Sequence, residues 1–278
     1  MPAAPALAIA ALVGTLGRVA ASHRGGLAIS RHRVPWAGER RTRIAHITDL
    51  HVGPTTPRRV LARVAEVITS LEVDAVVLTG DYVNVSLFHL ARVTELIAAL
   101  PAPCIATLGN HDHWTNADRV TGALREGGAE VLRNASTQVG DLVIVGVDDG
   151  CSGHADVTRA FEGVAAPERA LVLSHFPNTA RAIAETSAPL VLSGHTHAGQ
   201  VDVPYATRAL ARVTGNPYLH GFYRVGPKTE LYVNAGVGHS FPGLRAGRTC
   251  PEIAVFELDP AADARDSRRE RTALFARA

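Results

Sequence analysis

A layered α/β domain is the fold class this chain predicts, on three observations. Short aliphatic runs alternate with stretches of helical periodicity, further strand-like runs follow, and five of the runs end in Asp, Asn or His. Continuous apolar runs mark strands covered on both faces, which strand–helix alternation supplies in a mostly parallel sheet. At 278 residues and 46% hydrophobic, the chain buries a full core in one large domain.

Residues 1–42 are an apolar segment and a basic lead-in. Pro2 to Gly17 is rich in Ala and Leu and carries no charge, but it is shorter than the roughly 20 residues that span a bilayer. Arg18, Arg24, Arg31 and Arg33 follow it and no basic residue precedes it, the reverse of a secretory signal. Two readings stay open: a helix packed on the protein itself, or contact with the inner face of the cytoplasmic membrane. If the segment inserts, the positive-inside rule keeps the rest of the chain cytoplasmic. The lead-in reads as irregular, with Val34-Pro35-Trp36 as an edge strand.

Residues 43–259 carry the alternation. Arg43 to Thr48 reads as a strand and delivers Asp49-Leu50-His51. A helix follows from Pro57 to Leu71, with Val60, Leu61, Val64, Val67, Ile68 and Leu71 on one face and Thr56 as its N-cap. Asp74 to Thr79 is a strand delivering Gly80-Asp81, and a helix over 86–100 stops at Pro101 and Pro103. Cys104 to Leu108 delivers Gly109-Asn110-His111-Asp112, and a helix over 118–126 closes on Gly127-Gly128. Strands near 130–132, 138–139 and 142–147 suggest a hairpin region, with Asp148-Asp149-Gly150 as a turn. Ala170 to Ser174 delivers His175, a short helix covers 178–185, and Pro189 to Leu192 delivers Ser193-Gly194-His195-Thr196-His197. The stretch 204–226, with Tyr205, Tyr218, Phe222 and Tyr223, is either a lid or a loop packed down by its own aromatics. Strands over 230–234 and 252–258 close the domain, and 260–278 is a charged surface tail.

Composition removes several function classes. A formal charge of +2 without an aromatic-interleaved basic patch argues against binding a nucleic-acid duplex. Cys104, Cys151 and Cys250 form neither a disulfide framework nor a zinc signature, and they fit a reducing compartment.

What remains is the strand ends. Ligands in open α/β sheets gather beyond the carboxyl ends of strands. Asp49, Asp81 and Asn110 with His51, His111, His175, His195 and His197 are aimed at one such rim. Carboxylates and imidazoles converging there repel or go unpaired unless a cation organises them. The donors exceed what one tetrahedral zinc takes and suit two divalent ions roughly 3.5–4 Å apart. Mixed His/Asp/Asn sites accept manganese, iron or zinc.

Asp49-x-His51, Gly80-Asp81, Gly109-Asn110-His111-Asp112, Ser174-His175 and Gly194-His195-x-His197 resemble, in order and spacing, the motifs of the calcineurin-like metallophosphoesterase superfamily. Gly194 to Gln200, Gly236-Val237-Gly238 and Pro251-Glu252-Ile253 look like its bacterial membrane-associated branch, which includes enzymes hydrolysing UDP-2,3-diacylglucosamine in lipid A synthesis. The resemblance implies a four-layer α/β/β/α sandwich of two mixed sheets flanked by helices. It also implies that Asp49, His51 and His197 hold one metal, that Asn110, His175 and His195 hold the other, and that Asp81 bridges them. His111 would sit beside the metals as the catalytic acid or charge stabiliser.

One position departs from the protein phosphatases of the superfamily, which carry an aspartate three residues after the bridging one. Asn84 stands there, which argues against that activity and leaves open whether Asp112 or backbone orients His111. Arg245 is either a phosphate clamp or a surface arginine, and Gln200 orients the metal loop. His46, His113, His154, His220 and His239 match no pattern, although His113 and His239 could line the site. The expected activity is hydrolysis of a phosphodiester or pyrophosphate, with a lipid-linked nucleotide as one substrate. The alternatives are a cyclic-nucleotide or glycerophosphodiester phosphodiesterase, and a scaffold that keeps the fold without chemistry.

Overall fold

The structure is a computed structural model that describes residues 26–54, 56–199, 207, 211, 213, 215–240, 249–260 and 276–277. Strands β1 (Ala28–Trp36) and β2 (Thr42–Ile47) come first. Helix α1 (Arg58–Ser70) leads to β3 (Ala75–Thr79), α2 (Ala91–Ala98) to β4 (Cys104–Thr107), and α3 (Asn110–Glu126) to β5 (Ala129–Val131). Next come β6 (Ala135–Val139), β7 (Leu142–Gly146), the one-turn helix α4 (Val157–Ala160), β8 (Ala170–Leu173), α5 (Ala180–Ile183) and β9 (Leu190–Ser193). Strands β10 (Gly221–Arg224), β11 (Glu230–Val233), β12 (Glu252–Pro260) and β13 (Ala276–Arg277) follow.

These strands form two mixed sheets, ordered β13-β1-β12-β2-β3-β4-β5 and β10-β11-β9-β8-β7-β6. Three apolar layers hold them together. Ile44, Val77, Ile105 and Phe256 of the first sheet meet Ile144, Leu171, Leu192 and Tyr232 of the second in the central layer. The alternate residues Ala45, Ile47, Val76 and Leu78 pack under Leu61, Val64, Ile68, Val93, Leu96 and Leu124 of α1, α2 and α3. On the far side, Val145, Val172, Val191 and Leu231 meet Ala160, Ala180 and Ile183. The architecture is the expected α/β/β/α sandwich, and apolar contacts on both faces explain why the strand runs lack polar alternation.

Local structure departs from the sequence reading in four places. Part of the lead-in is regular: β1 is a nine-residue strand parallel to β12 along its full length. Its exposed Arg31, Arg33 and Pro35 alternate with inward Ser30, His32, Val34 and Trp36, and His32 sits 4.7 Å from the Tyr232 ring. Helix α2 begins at Ala91, later than expected, behind the turn 84–90. Helix α3 begins at Asn110, inside the motif, and breaks at Asn116 (φ −175, ψ 96) before continuing through the expected 118–126. Thr56 does not cap α1, whose N-cap is Pro57 in extended conformation without a side-chain hydrogen bond.

Tyr218 and Tyr223 are in edge-to-face contact at 5.1 Å, and the Tyr223 hydroxyl accepts from the Leu219 amide at 3.0 Å. The described aromatics of this excursion therefore pack it down instead of forming a lid. Pro2 to Gly17, Tyr205, most of the tail, Gln200 and Arg245 lie outside the described residues. Among the described residues, no helix is long and apolar enough to cross a membrane.

Candidate metal centre

Strands β2, β3 and β4 run parallel, so their carboxyl ends open on one edge, and β7, β8 and β9 do the same in the second sheet. The two edges are tied together: the His175 Nδ1–H donates to the Thr79 carbonyl at 2.7 Å, and the Asn234 side-chain amide donates to the His46 carbonyl at 3.1 Å. Loops from both sheets thus face each other across one rim.

The backbone there is strained. Asp49 (φ 53), His51 (φ 42), Asp81 (φ 55), His195 (φ 71) and His197 (φ 50) all adopt left-handed conformation, which costs each residue roughly 1–2 kcal/mol. Main-chain bonds hold the strain in place. Asp49 N–H donates to the Gly80 carbonyl at 3.0 Å, His51 N–H to Asp81 at 2.9 Å, and Gly238 N–H to Asp49 at 2.7 Å. Five such residues clustered at one rim are the pattern of a functional site. Space is equally constrained, since a Cβ on Gly194 would collide with the Asp49 carboxylate and the Thr48 hydroxyl.

Asp112 ties two of these loops together. Its carboxylate accepts from the amides of Gly109 (2.9 Å), Asp81 (2.8 Å), Tyr82 (2.9 Å) and Val83 (3.3 Å). Burial raises its pKa to about 7, with the Asp81 charge adding and the amides opposing. Asp112 therefore supports Asp81 and makes no hydrogen bond to the His111 ring. The residue that orients His111 is Asn84, through its main-chain carbonyl, which accepts from the ring Nδ1 at 2.5 Å. The open question of acid or backbone is answered by backbone, and the Asn84 side-chain amide plays no part in it.

The expected ligands converge in two sets. Asp49, His51 and His197 form one, with His51 Nε2 3.0 Å from His197 Nε2 and Asp49 Oδ1 3.3 Å from His197 Nε2. In the other, Asn110 Oδ1 lies 3.1 Å from His175 Nε2 and 2.8 Å from His195 Nδ1. Asp81 stands between them: its Oδ2 is 3.5 Å from His51 Nε2 and 3.3 Å from His175 Nε2. Its Oδ1 accepts the His111 amide at 2.9 Å.

The electrostatics describe a cluster balanced by its own protons. Burial raises Asp49 to about 6. Burial also works against the Asp81 anion, but the His175, His51 and His111 rings outweigh it and hold Asp81 below the ordinary carboxylate range. His175 is desolvated yet lifted to about 10 by Asp81 and Asp49, while burial and its His175 neighbour push His195 down to about 4. Among the described residues, no lysine or arginine pairs with Asp49 or Asp81. Two buried carboxylates and a ring of imidazoles, with no lysine or arginine among the described residues paired to those carboxylates, suit divalent cations, which replace such protons on binding. His175 is already oriented for it, because its Nδ1–H is committed to the Thr79 carbonyl and Nε2 faces the cluster.

One group at the rim was read only as a turn. Asp149 is fully buried, its Oδ2 accepts both the amide and hydroxyl of Ser152 at 2.6 Å, and its charge acts on His175 and His195. The signal was available: Asp148 and Asp149 follow β7 at the same carboxyl edge. His113 does not join the cluster, since it pairs with Asp148 at 2.7 Å and stacks on His154 at 3.9 Å. His46 is a core histidine bonded to the Thr79 hydroxyl at 2.8 Å.

The family described as calcineurin-like phosphoesterase matches residues 42–199. A transmembrane protein with metallophosphoesterase domain from Danio rerio is 31% identical over 217 residues, 71% of this chain and 48% of that protein. The uncharacterized metallophosphoesterase YkuE of Bacillus subtilis is 30% identical and aligns over 78% of each chain. The UDP-2,3-diacylglucosamine pyrophosphatase LpxG of Chlamydia trachomatis is 27% identical over 77% of this chain and 82% of its own. The chain spans about half the length of the Danio rerio protein. With a match over more than half its residues, this chain belongs to the calcineurin-like phosphoesterase family.

Proposed function

We propose that the protein is a metal-dependent hydrolase of phosphodiester or pyrophosphate bonds. Asp49, His51 and His197 would hold one divalent cation, Asn110, His175 and His195 a second, with Asp81 shared. The observation that carries this reading is the position of Asp81 Oδ2, within 3.5 Å of a nitrogen from each set. When bound, such a cation pair supplies Lewis acidity that lowers the pKa of water and neutralises phosphate oxygens.

The chain's own groups do the rest. His111 keeps its Nδ1–H on the Asn84 carbonyl, so Nε2 is the atom that exchanges a proton with the departing oxygen. Asp112 and the main-chain bonds of the strained loops keep the carboxylates placed before substrate arrives, so little reorganisation is left for the reaction. A backbone carbonyl in place of an aspartate leaves the His111 Nδ1–H without a carboxylate acceptor, which disfavours a protein-phosphatase-like activity.

For substrate, the Chlamydia trachomatis relative supports a lipid-linked nucleotide such as UDP-2,3-diacylglucosamine, and with it a place in lipid A synthesis at the membrane's inner face. A cyclic-nucleotide or glycerophosphodiester substrate is the second reading. Metal-reconstituted protein assayed on a UDP-linked glycolipid, cyclic nucleotides and glycerophosphodiesters separates them. Absence of bound metal together with no turnover on any of these would refute the hydrolase reading.

A further inference from the structure

Three of the four exposed large apolar side chains among the described residues come from the turn 84–90 and from α3, the two segments that hold His111. Val85 is 80% exposed, Phe88 86% and Trp114 64%. Val85 follows Asn84, whose carbonyl holds His111, and the Trp114 ring lies 5.1 Å from the His111 ring. All three side chains are open to solvent. Their exposure has a standing cost in water, and tryptophan with aliphatic and phenyl neighbours is the set that seats at a bilayer interface.

Two further features share this edge. Arg58, Arg59 and Arg92 stand at the first turns of α1 and α2, the helix ends nearest the carboxyl edge of the first sheet. Glu95, one turn into α2, is neutralised by Arg58 at 3.0 Å. The first strand also enters here: Ala28 N–H donates to the Pro251 carbonyl, and Glu252 N–H to the carbonyl of Gly236, the residue packed on Asp49. The described chain therefore enters the fold beside the metal centre and not at the opposite end of the sheets.

We propose that this rim docks on an anionic lipid bilayer, with Val85, Phe88 and Trp114 seated among the lipids beside the site and Arg59 and Arg92 over the headgroups. The docked face presents the metal centre directly to phosphoesters held in the membrane. This goes beyond the hydrolase reading and holds whichever phosphoester is cleaved.

The chain carries its own probe, because Trp36 is 5% exposed and Trp114 is 64% exposed, and they are its two tryptophans. Full-length protein is mixed with vesicles of phosphatidylcholine and phosphatidylglycerol. The expected result is a blue shift of emission, loss of acrylamide quenching, and quenching by lipids brominated along the acyl chain, all absent in Trp114→Phe. Val85→Ser with Phe88→Ser should weaken vesicle partitioning about tenfold while hydrolysis of water-soluble bis(p-nitrophenyl) phosphate is unchanged, which also shows that the variant is folded. Vesicle binding with Trp114 still open to acrylamide would mean that the N-terminal segment tethers alone, and would overturn the proposal. So would a blue shift that grows with protein concentration without vesicles, which would identify a second copy as the occupant, or no binding at all.

Discussion

His111 donates its Nδ1–H to the main-chain carbonyl of Asn84 at 2.5 Å. Because the acceptor is backbone, the side chain at position 84 is dispensable for orienting the ring. Asn84→Ala should keep turnover of an aryl phosphodiester within about threefold, whereas His111→Ala should lose about 10²–10⁴-fold. Both variants should retain metal by elemental analysis, and a metal-free His111→Ala protein would make His111 a ligand instead.

Asp81 is shared by both donor sets and also fixes the His111 amide. Asp81→Asn, like His195→Ala, should abolish metal-dependent hydrolysis with the circular dichroism spectrum unchanged. Turnover retained in both variants would remove the site assignment.

Asp112 satisfies four buried amides, two at each carboxylate oxygen. Asp112→Asn turns an amide N–H₂ toward one pair and leaves those donors unmet, at about 1–3 kcal/mol for each. Chemical denaturation should therefore show a loss of about 2–6 kcal/mol, with metal affinity falling as Asp81 loses its support.

Gly194 leaves no room for a methyl group against Asp49 and Thr48. Gly194→Ala should cost about 1–3 kcal/mol of stability through overpacking and weaken the Asp49 site more than the Asn110 site. Titration with a divalent metal followed by calorimetry checks this, and two unchanged binding steps would contradict it.

His46 is fully buried, and desolvation lowers its pKa to about 3 while the Glu252 charge opposes. The unfolded chain takes up this proton below about pH 6.5 and the folded chain does not. The His46 contribution is thus fully present above pH 6.5 and is lost as the pH falls toward 3, by at most about 1.4 kcal/mol per pH unit. Denaturation midpoints of His46→Gln should depend less on pH across that window than those of the parent chain.

Much of this was legible in the residues alone. Alternating aliphatic runs and helical periods named the class, and the Asp, Asn and His at the strand ends named the side chains that meet at the rim, because parallel strands bring their carboxyl ends to one edge whatever the loops do. The misreadings have physical causes. Strand β1 hid because Arg31 and Arg33 on its outer face read as a charged lead-in, although the alternation with Ser30, His32 and Val34 was there. The start of α3 hid because Asn110, His111 and Asp112 are poor helix formers, held helical by Asp112 accepting the Gly109 amide.

Residue types at strand ends determine which atoms are available, and the sequence by itself settled that much here. Which atoms meet was decided only by tertiary structure. The choice of Nδ1 for His195 and Nε2 for His175, the backbone acceptor for His111, and the arrival of Asp149 at the rim depend on how two sheets stack and on left-handed turns that no local propensity favours. Long-range hydrogen bonds between the sheets sustain those turns, and a linear string of residues does not contain them.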